Sequence, residues 1–239
     1  MGATHLPESL PEYLPETGRI LETFADEITS LGGSVPDAYD DGQRLFARGV
    51  LPVHGDVHPG DSVQAGVAIR ASGPDILVHP YTFRQICTNG AIAAHALQTR
   101  RLERIASAGV FIATYNVAVT LTDLCLAVRA SAAPEAFDTS LQEMRSASEV
   151  EADLALQLLP ALAHMPQRVI ALVLPQILQR FAAGEDRSAF GLLNAVTSAA
   201  RDTRDPEMRW RLEELGGTLP ARLAPKPLLS PRASLLVEV

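Results

Sequence analysis

The chain has 239 residues, an apolar fraction of 47% and a formal net charge of −8. That apolar content supports a packed core and excludes wholesale disorder. The longest apolar run, Val169–Leu174, is far below the ~20 residues of a membrane span, and two cysteines, Cys87 and Cys125, exclude a disulfide scaffold.

In chain order, residues 1–15 carry Pro7, Pro11 and Pro15 and read as an extended arm. Residues 17–31 form an amphipathic helix, with Ile20, Leu21, Phe24, Ile28 and Leu31 on one stripe and Gly32-Gly33 as its stop. An acidic loop is expected over 34–43, then a strand from Leu45 to Val53. Residues 62–71 alternate most cleanly, with Val63, Ala65, Val67 and Ile69 on one face. The turn Ser72-Gly73-Pro74-Asp75 leads into a short strand, 76–79. A helix is predicted over 80–88, then a strand through about Arg104.

From about residue 114 the pattern is helical. One helix spans 115–131. Pro134 opens another, with Phe137, Leu141 and Met144 in register. Ser148-x-x-Glu151 reads as a capping box ahead of Leu154 and Leu158. Pro166 precedes an apolar helix that runs through Pro175, where a kink is expected, and stops at Gly184. Ser188 and Asp205 are expected N-caps of the last two helices. The fold class is therefore α+β, a central antiparallel sheet in the N-terminal half packed by a helical C-terminal half. The expected domain spans 16–217, with its sheet region about 44–105 and its helical region about 114–217. A Pro-rich tail, 218–239, ends in the apolar Leu235–Val239.

Charge is unevenly placed. Residues 1–61 hold 11 acidic and 3 basic side chains, whereas residues 62–239 hold 17 of each. Lys226 is the single lysine, so the basic residues are almost all arginine, whose planar fork suits phosphate.

The densest stretch is His79-Pro80-Tyr81-Thr82-Phe83-Arg84-Gln85-Ile86-Cys87-Thr88-Asn89-Gly90. Pro80 fits a first helical position, and Phe83, Ile86 and Cys87 fall at i, i+3 and i+4 on one face. That spacing favours the helix over 80–88. The competing reading places Asn89-Gly90 in a type I′ hairpin turn.

The run Pro-x-x-Phe-Arg-x-x-Cys-Thr-Asn-Gly resembles the phage- and plasmid-associated domain-of-unknown-function 932 family. Phe190-Gly191-Leu192-Leu193-Asn194-Ala195-Val196-Thr197 resembles that family's late helix, and Arg101-Leu102-Glu103-Arg104-Ile105 its basic strand. The resemblance covers roughly residues 40–215. It implies an association with mobile elements, which points by analogy toward nucleic-acid transactions.

Other constellations carry less. His54-Gly55-Asp56-Val57-His58-Pro59-Gly60-Asp61 looks like the catalytic loop of aminoglycoside-phosphotransferase-type kinases. The chain nevertheless has no Gly-rich loop upstream and no lysine that could anchor phosphates. His54, Asp56, His58 and Asp61 could ligate a metal, but Gly, Pro and Asp are equally what a turn uses. Cys87 beside His79 or His95 could act as a nucleophile with its base, although a free cysteine is more often a small buried hydrophobe. Asn194 and Thr197, one helical turn apart, read as a buried hydrogen-bond pair or a ligand contact.

Arg70, Arg84, Arg100, Arg101 and Arg104, with Tyr81 and Phe83 nearby, form a candidate track for a phosphate backbone with rings for base stacking. The expected nucleic-acid residues are thus Arg70, Tyr81, Arg84, Arg100, Arg101 and Arg104. The expected function is a non-enzymatic nucleic-acid-binding accessory protein of mobile-element type, acting by single-stranded DNA binding or strand annealing. The alternative is a protein-interaction or assembly module using the helical half and the tail. A cytoplasmic homo-oligomer is expected, with no catalytic set, no cofactor, no metal and no membrane.

Overall fold

The computed structural model describes residues 16–84, 89–92, 100–103 and 110–220. The chain runs α1 (Thr17–Ser30), β1 (Ser34–Asp40), β2 (Arg44–His58), β3 (Asp61–Ser72), β4 (Asp75–Arg84), β5 (Asn89–Ile92) and β6 (Arg100–Glu103). Helices follow: α2 (Val110–Ser131), α3 (Pro134–Ser148), a π-turn (Leu154–Leu158) continuing into α4 (Leu159–Leu162), α5 (Gln167–Ala183), α6 (Ala189–Arg201) and α7 (Pro206–Thr218). This is the α+β order expected. No helix among the described residues is long and apolar enough to cross a membrane. The arm, the tail beyond Pro220, Cys87, His95 and Arg104 lie outside the described residues.

The sheet is an antiparallel meander, β1-β2-β3-β4-β5, with β6 pairing the first half of β4 and β5 the second. Alternation along β3 sends Val63, Ala65, Val67, Ile69 and Ala71 into the main core with Ile20, Phe24 and Ile28 of α1, Leu124 of α2 and Phe137 of α3. The opposite face buries a smaller cluster, Phe46, Ala68, Tyr81 and Ile92 against Trp210 of α7. Helices therefore cover both sheet faces.

Three expectations are corrected. Residues 34–40 are a strand and not a loop. The acidic side chains that suggested a loop are accommodated because Asp37 stands opposite Arg48 and accepts from its Nη1 at 2.8 Å. Residues 80–84 are strand and not helix. Strand β3 offers β4 an unbroken partner from Val63↔Arg84 to Ser72↔Asp75, and Pro80 tolerates its place because it needs no donor partner there. Asn89 and Gly90 do pair back onto Arg84 and Phe83, so a hairpin exists, but the two residues belong to its return strand. Third, Ser148 and Glu151 form no capping box. Ser148 closes α3 by donating to Arg145 O, and Asp153 caps the π-turn by accepting from Ala155 and Leu156. Ser188 and Asp205 cap α6 and α7 as expected, accepting from Gly191 N and Met208 N.

Helix α7 is attached to its sheet face by charge as well as by Trp210. Arg48 reaches Glu213 at 2.7 Å, Arg70 reaches Glu207 at 3.0 Å, and Asp37 bridges Arg48 and Arg209. His79 meets the Trp210 ring edge-on, centroids 5.5 Å apart, with Glu214 at 3.8 Å. Burial holds the His79 imidazole down at about 4 and pushes the Glu214 carboxyl up.

The folded pKa of His79 lies below the ordinary 6.5, so the stability it contributes is complete above 6.5 and is lost as pH falls toward 4. Glu214 works in the opposite sense, since its native form takes up a proton early. Replacing His79 with Gln isolates the imidazole. Wild type should lose about 2 kcal/mol more than the variant between about pH 7 and about pH 5. Urea melts at the two pH values measure it, and equal pH dependence would show that His79 does not control this loss.

Candidate functional site

The two motifs that stand out in the sequence are far apart in the chain and meet in space. The β4–β5 hairpin brings Thr82, Arg84 and Asn89 against one flank of α6, which presents Phe190, Asn194 and Thr197. Helix α6 is placed there by Ser188 at its N-cap and by a buried face of Phe190, Leu193, Val196 and Ala200 that also holds Thr197. Gly191 allows the chain at Asp186 to fold back onto the first turn of α6; a Cβ on Gly191 would overlap the Asp186 carbonyl. Gly90 has a parallel role in the hairpin, where a Cβ would overlap the Tyr81 hydroxyl.

Arg84 is the central side chain of this junction. Its Nε and Nη2 each donate to Asp61, both at 2.6 Å, and its guanidinium lies over the Phe190 ring at 5.6 Å. Asn89 Nδ2 donates to Thr197 Oγ1, which itself donates to Leu193 O at 3.1 Å. The Thr197 hydroxyl thus bonds across to the hairpin, not to the Asn194 side chain one turn away.

Beside the junction runs a groove of about 530 Å³, within the size range of ligand sites. Arg84, Asn194, Arg180, Phe181 and Ser198 line it. Phe181 carries a guanidinium as well: Arg187 lies over its ring at 5.5 Å and donates to the Phe181 and Ala182 carbonyls. Arg180 pairs with Asp202 at 2.7 Å, and both partners are partly open to solvent. Glu185 and Asp186 also line the groove, so its charge is mixed.

The arginine track read from the sequence is not assembled as one surface. Arg70 is on the α7 side of the sheet, held by Glu207 and stacked over Phe46 at 5.9 Å. Arg84 is on the opposite side, under α6. Tyr81 is buried, with its hydroxyl pushed far up by desolvation, and it has no open face on which a base could stack. Arg100 and Arg101 occupy β6 opposite Val78 and Leu77, six and seven residues along β4 from Arg84, roughly 20 Å away.

The His54–Asp61 stretch forms the arms of the β2–β3 hairpin, with His54 opposite Gln64 and His58 opposite Asp61. Asp61 is taken by Arg84, and His58 rests edge-on against Phe190. No group of three or more potential metal ligands gathers among the described residues.

Sequence reading missed two features. Arg180 and Phe181 lie in a helix whose only visible signal was periodicity, and Arg187 lies in the short link after Gly184. Arg48 interrupts the apolar run Leu45–Leu51, which itself signals a buried charge in need of a partner. No protein-family model, curated protein or solved structure matches the chain.

Proposed function

We propose that the protein is a non-enzymatic nucleic-acid-binding accessory protein that takes single-stranded DNA in the groove beside Arg84. The carrying observation is the pair of guanidinium-on-ring stacks, Arg84 on Phe190 and Arg187 on Phe181. Such stacks hold flat cationic planes beside the groove, a surface that sequence-tolerant single-strand binding uses, while Arg84 donates to Asp61 and Arg187 to the Phe181 and Ala182 carbonyls. The Arg180–Asp202 pair supports the reading because exposed pairs are worth only about 0–1 kcal/mol, so a phosphate can replace the carboxylate at little cost.

Anisotropy of a labelled oligonucleotide across a salt series tests this. Arg180→Ala and Arg187→Ala should each weaken binding for any sequence and make the log–log salt slope shallower by about 0.7. No binding at low salt by folded wild type would remove nucleic acid as the ligand. Unchanged slopes in both variants would remove the groove.

A second reading, an assembly module forming homo-oligomers, is favoured by one specific observation. Leu156 is 74% exposed and Leu172 69% exposed, and Leu126 and Leu159 are also open. Helix α5 buries Val173 and Ile177 while leaving Leu172 and Leu178 outside, so it is apolar on two sides.

A further inference from the structure

Asn89 is 3% exposed, and its two amide atoms fare differently. Nδ2 donates to Thr197 Oγ1, with Asn194 O at 3.4 Å. Oδ1 is buried and has no hydrogen-bond partner among the described residues. The orientation of the amide is determined by Thr197. That hydroxyl has Leu193 O at 3.1 Å and Asn194 O at 3.3 Å to donate to, and toward Asn89 it accepts. The nitrogen faces Thr197, and the oxygen faces away. An acceptor left unpaired in the interior costs about 1–3 kcal/mol, which a bound donor would recover.

The space at hand is a cavity of about 10 Å³ lined by Thr82, Arg84, Asn89, Asn194 and Thr197 among others. That admits one water-sized group and no more. Arg84 and Asn194 line both this cavity and the larger groove, so a molecule lying in the groove has the cavity at its side. A group that pairs with Asn89 Oδ1 must donate, because that atom can only accept. A phosphate or carboxylate oxygen is excluded on that ground.

We infer that Asn89 Oδ1 reads the exocyclic amine of an unpaired base whose strand lies in the groove. This rests on the nucleic-acid reading and adds a preference to it. Cytosine, adenine and guanine each carry an amine small enough for the cavity. Uracil and thymine present a carbonyl oxygen where cytosine has its amine, and would set acceptor against acceptor.

The cleanest probe is the pair oligo(dC) and oligo(dU), of equal length and label, titrated with the full chain by anisotropy at one low salt concentration. Oligo(dC) should bind about tenfold more tightly. In Asn89→Ala the two affinities should converge, while binding through Arg180 and Arg187 persists. Equal affinities in wild type would overturn the inference and leave the nucleic-acid reading standing. A preference that survives in folded Asn89→Ala would also overturn it. Failure of both oligonucleotides to bind would be the failure of the underlying reading. Should Asn89→Ala not fold, the wild-type comparison decides alone.

Discussion

Replacing Glu213 with Ala is expected to cost about 3–5 kcal/mol of folding stability. Arg48 and Glu213 are among the most buried charged side chains described, at 4% and 2% side-chain exposure. Arg48 comes from the middle of β2 and Glu213 from α7, 165 residues later. Around them Asp37 and Arg209 close a ring in which every charge touches two of opposite sign. Burial pushes the Glu213 carboxyl up while Arg48 and Arg209 pull it down.

Truncating Glu213 leaves Arg48 with the half-open Asp37 as its remaining acid and no way to reach water. For a domain of total stability on the order of 5–15 kcal/mol, that loss is a large share. Removing both charges together is a different matter: Arg48→Met with Glu213→Leu keeps the volume and removes the need for pairing. The double variant should therefore lie within about 1 kcal/mol of wild type or above it. Urea denaturation of the two singles and the double forms the cycle. A Glu213→Ala cost under about 1 kcal/mol would show that the ring is open to water and not buried.

Local pattern made some elements legible and not others. Strand β3 was readable because one face is apolar and its period is two without interruption. The caps Ser188 and Asp205 were readable because capping is a chemistry of adjacent residues. Strand β4 was misread at 80–84 because Pro80 and the Phe83/Ile86/Cys87 spacing fit a helix locally. What overrides them is long-range, a complete β3 edge waiting for a partner. Strand β1 was hidden for the same kind of reason, since Asp37 is tolerable in a strand only where Arg48 stands across from it.

The candidate site divides in the same way. Arg84, Asn89, Asn194 and Thr197 were all conspicuous in the sequence. That Asn89 would bond to Thr197, and Arg84 stack on Phe190, depends on how α6 docks and has no local signal. Arg70 and Tyr81 looked like partners of Arg84. The alternation of a strand places side chains of adjacent strands on one face or the other by parity, and the two faces are covered by different helices. Grouping arginines by nearness in sequence does not respect that parity.

Trp210→Ala is expected to destabilise by about 3–5 kcal/mol, comparable with loss of Glu213. The indole is 1% exposed and is the largest buried side chain of the described residues. It packs tilted against Phe46 at 6.0 Å and edge-on to His79 at 5.5 Å, and its N–H serves Glu214. This cluster is small, with Ala68, Tyr81 and Ile92 completing it, and the indole is its largest member, so its loss removes much of the packing between α7 and the sheet. The imidazole of His79 borders the space Ala would leave, and water entering there would solvate it. Trp210→Phe retains most of the ring contact and loses the bond to Glu214; it should cost less than half as much as the Ala change.

Because Trp210 is the chain's single tryptophan, its fluorescence in wild type reports this layer alone. Unfolding followed by tryptophan emission and by far-ultraviolet circular dichroism should coincide if α7 is an integral part of one cooperative unit. The salt links from Arg48 and Arg70 to α7 argue for that coincidence, since they join the helix to two strands at once. A fluorescence transition at clearly lower urea than the dichroism transition would show α7 leaving first. The 3–5 kcal/mol assigned to Trp210 would then describe the docking of one helix and not the stability of the sheet beneath it.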